Sequence, residues 1–153
     1  TGASLRVGIA VDGSPFGEAA VKYVLKHRAL FGAQPKFALI HVAAELPYQL
    51  QTLLQNIADP RFNHEHVRTL RKRAFERAVK PARRLLAQAG IAAEEIERTG
   101  NAGDEIAAYA HKYLDVLVMG SHGRGLFKSA VLGSVATRVA ARCATPLLLI
   151  RNA

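Results

Sequence analysis

The chain has 153 residues, half of them hydrophobic, which is enough for one domain with a buried core and too short for two independent ones. It carries 21 Lys and Arg against 12 Asp and Glu, a net charge of +9 that makes polyanions plausible partners. No apolar run approaches the roughly 20 residues of a membrane span, the start has no basic segment followed by an apolar stretch, and the lone Cys143 cannot form an internal disulfide. A cytoplasmic protein with no membrane partner is therefore expected. Residues 1–4 read as a partly disordered or expression-derived start, leaving 5–153 as the folded domain.

In chain order, Leu5 to Val11 is a short apolar run closed by Asp12-Gly-Ser-Pro15, a strand followed by turn residues. Ser14 is placed to cap a helix that begins at Pro15, and Phe16, Ala20, Tyr23, Val24, His27 and Phe31 recur at helical spacing up to Gly32. Phe37 to Val42 is a second strand. The stretch from Pro47 to Phe62 shows no clear period and reads as a loop with at most a turn of helix.

A long helix is predicted from His64 to Ala89, with Val67, Leu70, Ala74, Ala78, Leu85 and Leu86 toward the core and a kink or break at Pro81. Eight Lys or Arg lie between His64 and Arg84 against only Glu65 and Glu76, so this helix concentrates the positive charge. Ile91 to Arg98 reads as a strand more from its length and place than from its composition. Asn101 is placed to cap the next helix with Asp104 at its third position, and Ile106, Ala110, Tyr113 and Leu114 form that helix's apolar stripe. Val116 to Met119 is a fourth strand, Ser134 to Cys143 a helix, and Pro146 to Ile150 a fifth strand. Strands alternating with helices predict a parallel five-stranded sheet covered on both faces, because parallel neighbours need crossover connections. The continuous apolar runs agree with strands buried on both sides.

In an open sheet of this kind, ligands bind beyond the carboxyl ends of the strands where the strand order reverses. Two strand ends carry unusual residues: Val11-Asp12-Gly13-Ser14, and Met119-Gly120-Ser121-His122-Gly123-Arg124-Gly125. Glycines let successive N–H groups approach phosphate oxygens with no β-carbon in the way. Gly133-Ser134, ten residues after Gly123, opens a helix whose free N–H groups favour an anion. The same glycines can also serve only a turn. Neither a Gly-x-x-x-x-Gly-Lys-Ser/Thr loop nor a Gly-x-Gly-x-x-Gly fingerprint occurs in the chain.

The pattern Gly120-x-x-Gly123-x9-Gly133-Ser134 resembles that of the ATP-binding universal stress proteins. The resemblance extends to Val7-Gly-Ile-Ala-Val-Asp-Gly-Ser14, Gly103-Asp-Glu-Ile106, Val118 to Arg124 and Leu132 to Val139, and is weakest over 45–66. It implies a Rossmann-like, adenine nucleotide alpha hydrolase-like sheet of order 3-2-1-4-5. It further implies that Asp12 and the Ala10 backbone border the nucleoside and that Val42 holds the adenine edge through main-chain atoms. Met119 would then line the pocket, Gly120, His122 and Gly123 would approach ribose and phosphates, and Gly133, Ser134 and the Val135 N–H would take the terminal phosphates. The ligand implied is ATP or another adenine nucleotide, with Mg2+ bridging phosphate oxygens.

The residues also admit plainer roles. Asp12 can cap the turn, His122 can be an exposed loop histidine, and Arg124 and Lys128 can be solvated. Met119 can be core packing and Cys143 an inert thiol. The function expected is a nucleotide-dependent stress-response module with an unidentified protein partner, and no catalytic residue is assigned. A slow ATP hydrolase is the first alternative, limited because the loop offers only His122 and the more distant Asp12 near the terminal phosphate. A nucleic-acid binder using Arg68, Arg71, Lys72, Arg73, Arg77, Lys80, Arg83 and Arg84 is the second, and is not expected as the main function because outer helix faces are normally solvated charge. With the last strand at a sheet edge, apolar Leu147 to Ile150 is expected to pair in a two-fold homodimer.

Overall fold

The structure, a computed structural model, describes residues 4–45, 48–55, 60–123 and 132–151, without the side chains of 50, 51, 54, 55 and 60–66. Its elements are β1 (Arg6–Ala10), α1 (Pro15–Lys26), a 3-10 turn (Arg28–Phe31), β2 (Lys36–Ala43), α2 (Tyr48–Gln55) and α3 (Pro60–Gln88), followed by β3 (Glu94–Thr99), α4 (Ala102–Tyr113), β4 (Val116–Gly120), α5 (Ser134–Arg142) and β5 (Leu147–Ile150). All strand pairs are parallel and the order is β3-β2-β1-β4-β5, as the resemblance implies.

Alternation along the strands divides the core into two layers. Val7, Ile9, Phe37 and Leu39 point to one face and meet Val21 and Val24 of α1 and Val79, Ala82 and Leu86 of α3. Ala10, Ile40, Leu117 and Met119 point to the other and meet Ile106 and Ala110 of α4 and Val139 of α5. Position 8 lies on this second face and is glycine, since any side chain there would occupy the position of the Leu114 side chain. Each fully buried aliphatic residue in these layers contributes about 1.5–3 kcal/mol relative to exposure.

Several local expectations are corrected. Ser14 is the N-cap residue of α1, but its hydroxyl makes no capping bond; its N–H donates to Asp12 Oδ1 at 2.8 Å instead. The first helix ends at Lys26, and only the short 3-10 turn continues to Phe31. The stretch read as a loop contains all of α2 and the start of α3. Helix α3 runs unbroken through Pro81, held by the burial of Ala78, Val79, Ala82 and Leu86 on either side. Leu70, expected in the core, is 49% exposed. Asn101 does cap α4, accepting from the Asp104 N–H at 3.1 Å. No helix among the described residues is long and apolar enough to cross a membrane.

Candidate functional site

The order β3-β2-β1-β4-β5 reverses direction between β1 and β4, and the cavity of about 360 Å3 opens beyond their carboxyl ends. All ten residues singled out in the sequence line it: Ala10, Asp12, Val42, Met119, Gly120, His122, Gly123, Gly133, Ser134 and Val135. The volume falls within the usual range for small-ligand sites, roughly 300–1,000 Å3. Arg124 and Lys128 lie outside the described residues.

The loop after β1 is bent by Gly13, whose φ of 82° suits glycine. Asp12 closes this turn by accepting the Ser14 N–H. Its other oxygen lies against the backbone after β4, since a Cβ at Gly123 would stand 2.6 Å from Asp12 Oδ2. The carboxylate is thereby fixed between the two strand-end loops. Gly120 permits the second close approach: a Cβ there would stand 2.6 Å from Phe16 Cβ and 2.8 Å from the Phe16 carbonyl oxygen.

The two glycine-containing segments are bonded to one another. The Gly133 N–H donates to the Ser121 carbonyl at 2.7 Å, and a Cβ at Gly133 would stand 3.0 Å from His122 Cα. His122 rests its ring 5.3 Å from that of Phe16 and places Nδ1 3.1 Å from Ser121 Oγ. Gly133 is the N-cap residue of α5 and supplies no side-chain cap, so the first N–H groups of this helix, at Ser134, Val135 and Ala136, have no intrahelical acceptor. With the helix dipole they give this end of the cavity, which Asp12 also lines, a local positive potential.

An ion-pair network sets α5 against α4. Asp104 accepts from Arg138 Nε at 2.7 Å and Nη2 at 2.9 Å, with Arg142 Nη1 3.3 Å away. The hydrogen bonds from Arg138 hold the Asp104 carboxyl below the usual carboxylate range. Gly103 lets Arg138 pass, because a Cβ there would meet the Arg138 side chain at 2.7 Å.

Sequence reasoning missed the cavity walls formed by Ile40, His41, Ala102 and Ile106. Ile40 and His41 directly precede Val42, and Ala102 follows a helix cap, so strand-end and helix-start position was the available signal. His41 also ties two strand ends together, with Nδ1 3.0 Å from the Val11 carbonyl oxygen, while the Val11 N–H donates to the Ile40 carbonyl at 2.9 Å. Among the described residues, no three His, Cys, Asp or Glu side chains are grouped to hold a metal ion. Cys143 is half-buried, packs beside the second core layer and donates to the Thr145 carbonyl at 3.5 Å.

Known proteins share this architecture. The solved structure of hypothetical protein MJ0577 superposes with a TM-score of 0.77 at 24% identity, covering 98% of this chain and 97% of that one. A universal stress protein family protein from Arabidopsis thaliana, At3g01520, solved with AMP bound, gives a TM-score of 0.65 at 18% identity over 97% of this chain and 92% of that one. A universal stress protein solved in complex with cAMP gives 0.58 at 22% identity over 97% and 98%. Universal stress protein YxiE of Bacillus subtilis (strain 168) is 27% identical over 144 residues, 94% of this chain and 96% of that protein. The model of the universal stress protein family matches residues 4–151, and the chain belongs to that family.

Proposed function

We propose that this protein binds an adenine nucleotide, with ATP as the preferred ligand, and acts as a nucleotide-dependent module in the stress response rather than as an efficient enzyme. One observation carries the reading: the N-terminus of α5, to which Gly133 gives no side-chain cap, and the Gly120–Gly123 backbone share a cavity with a fixed carboxylate, Asp12. Phosphates fit the first two, and a ribose hydroxyl is a natural donor to the third. The Ala10 backbone and Met119 border the nucleoside, the Val42 backbone faces the adenine edge, and Ser134 and the Val135 N–H take the outer phosphates. The AMP and cAMP complexes of fold relatives support an adenine nucleotide here. A divalent cation such as Mg2+ would be held chiefly through phosphate oxygens.

Calorimetric titration with ATP, AMP and cAMP tests this, and ATP is expected to bind at least tenfold more tightly than AMP because it alone reaches the end of the cradle. Equal affinities would remove the role of Ser134 and Val135, and no binding by any of the three would remove the site. Hydrolysis is weakly supported. Asp12, His41 and His122 are the titratable groups among the described lining residues, and Asp12 already accepts the Ser14 N–H through Oδ1. Phosphate release is expected to be far slower than the ~10 s−1 of a typical enzyme, and a rate near that value would overturn the non-enzymatic reading.

A homodimer through β5 belongs to the same proposal. This strand is at one edge of the sheet, and Leu147, Leu148 and Leu149 are only half-buried in the single chain. An edge of this kind favours pairing with a second copy in a cytoplasmic protein. Analytical ultracentrifugation should give a dimer, and a monomer at micromolar concentration would contradict it.

A further inference from the structure

We infer that the outer face of α3 is a docking surface for the phosphate backbone of double-stranded nucleic acid, read without regard to base sequence. Arg73, Arg77, Lys80 and Arg84 follow one another at steps of four, three and four residues, which places all four on one helix face. That face is opposite the buried one, which carries Ala78, Val79, Ala82 and Leu86, and all four cations are exposed. The stripe extends about 16 Å at 1.5 Å per residue, close to the axial length of five base-pair steps of about 3.4 Å in a duplex.

Basic surface helices commonly neutralise themselves with acidic neighbours; here Glu76 is committed chiefly to Arg83 and feels Lys80 and Lys72 only through weaker, longer-range attraction. Glu76, the nearest described acid on α3, is bound by Arg83 through two hydrogen bonds of 2.9 Å each, and Arg83 also binds Glu95 of β3. These bonds hold Glu76 as a carboxylate turned toward β3, to one side of the stripe. Among the described residues no carboxylate forms an ion pair with any of the four stripe cations. Upstream, residues 68–73 are six consecutive exposed positions, so this part of the helix is open to solvent around its whole circumference and adds Arg68, Arg71 and Lys72.

The chemistry selects among polyanions. Insertion into a lipid surface needs a continuous apolar face beside the cations, whereas the stripe itself has none and Leu70 is the one large apolar residue exposed on the described part of α3. Binding to unpaired bases needs stacking aromatics, but Phe75 turns inward toward His41, at 6.2 Å between ring centroids. What remains is an array of charges on a rigid rod, the arrangement suited to a regular backbone of phosphates.

The test is fluorescence anisotropy of a labelled mixed-sequence duplex of about 20 base pairs, titrated with protein at about 50 and 200 mM salt. Four neutralised phosphates predict a slope of log K against log salt near −3.5, hence affinity falling roughly a hundredfold between the two conditions. Replacing Arg73, Arg77, Lys80 and Arg84 by Gln should abolish most of that binding while circular dichroism and ATP affinity stay unchanged. A charge-matched control, Lys22, Lys26, Arg28 and Lys36 to Gln, should keep affinity within about threefold. Absence of duplex binding at the lower salt, equal losses in the two variants, or tighter association with anionic phospholipid vesicles than with duplex would each overturn the proposal. The unchanged ATP affinity keeps this outcome separate from that of the nucleotide site.

Discussion

Replacing Gly123 by Ala should separate the cradle's ligand-binding role from its contribution to folding. The new Cβ would stand 2.6 Å from Asp12 Oδ2, the far end of a side chain rather than backbone. The carboxylate must retreat by roughly half an ångström or more to reach ordinary contact, and this strains its 2.8 Å bond from the Ser14 N–H. Losing that bond costs about 1 kcal/mol of stability, roughly 2–4 °C in melting temperature for a chain of this size. Ligand binding should suffer more. A hydrogen bond to a charged group is worth about 1.5–3 kcal/mol, so misplacing Asp12 should weaken ATP binding by roughly ten- to a hundredfold. Calorimetry for affinity and a thermal melt for stability read the two effects independently. A folded Gly123→Ala protein that binds ATP within twofold of wild type would refute the placement of Asp12 at the nucleoside.

Gly120→Ala should do the reverse, because the added methyl meets the Phe16 carbonyl oxygen at 2.8 Å and backbone cannot easily yield; about 1–3 kcal/mol of destabilisation is expected in urea unfolding, and an unchanged midpoint would contradict it. Leu86, 1% exposed on the buried face of α3, should cost about 2–5 kcal/mol as Leu86→Ala, and a loss below 1 kcal/mol would show that α3 is only loosely packed on the sheet. Asp104 links α4 to α5, and its depressed pKa contributes stability above the unfolded-state value that is lost as pH falls through the folded-state value. The melting temperature of wild type should therefore drop more on acidification through the carboxylate range than that of Asp104→Asn; parallel profiles would show that the Arg138 pair does not stabilise the fold.

The parts of the fold that were legible in the sequence are those whose side chains have one physical task. β1 and β4 are apolar on both sides because helices cover both faces, and their runs stand out accordingly. β3 is different: only Ile96 is buried, and Glu94, Glu97 and Arg98 are exposed at the sheet edge, so composition scarcely marks it and position had to. Helix α2 exposes Tyr48 and Leu53 and left no period to read. Leu70 continued the apolar spacing of α3 past the point where the helix has the sheet beneath it, which periodicity cannot reveal. In the site, glycines marked the close approaches well, since each forbids a side chain for a definite steric reason. The walls did not announce themselves: Ile40 and Ile106 are ordinary core residues, and His41 lies beside the cavity through its contact with the Val11 carbonyl of the neighbouring strand end.

The central claim is tested most directly by denaturing the purified protein, identifying any nucleotide released, and melting the ligand-free protein with and without millimolar ATP. A ligand at about 100 times its dissociation constant stabilises the native state by about 2.7 kcal/mol, so ATP should raise the melting temperature by roughly 5–10 °C. An adenine nucleotide in the released fraction, or that shift in its absence, is the predicted result. No released nucleotide together with no shift would contradict the account.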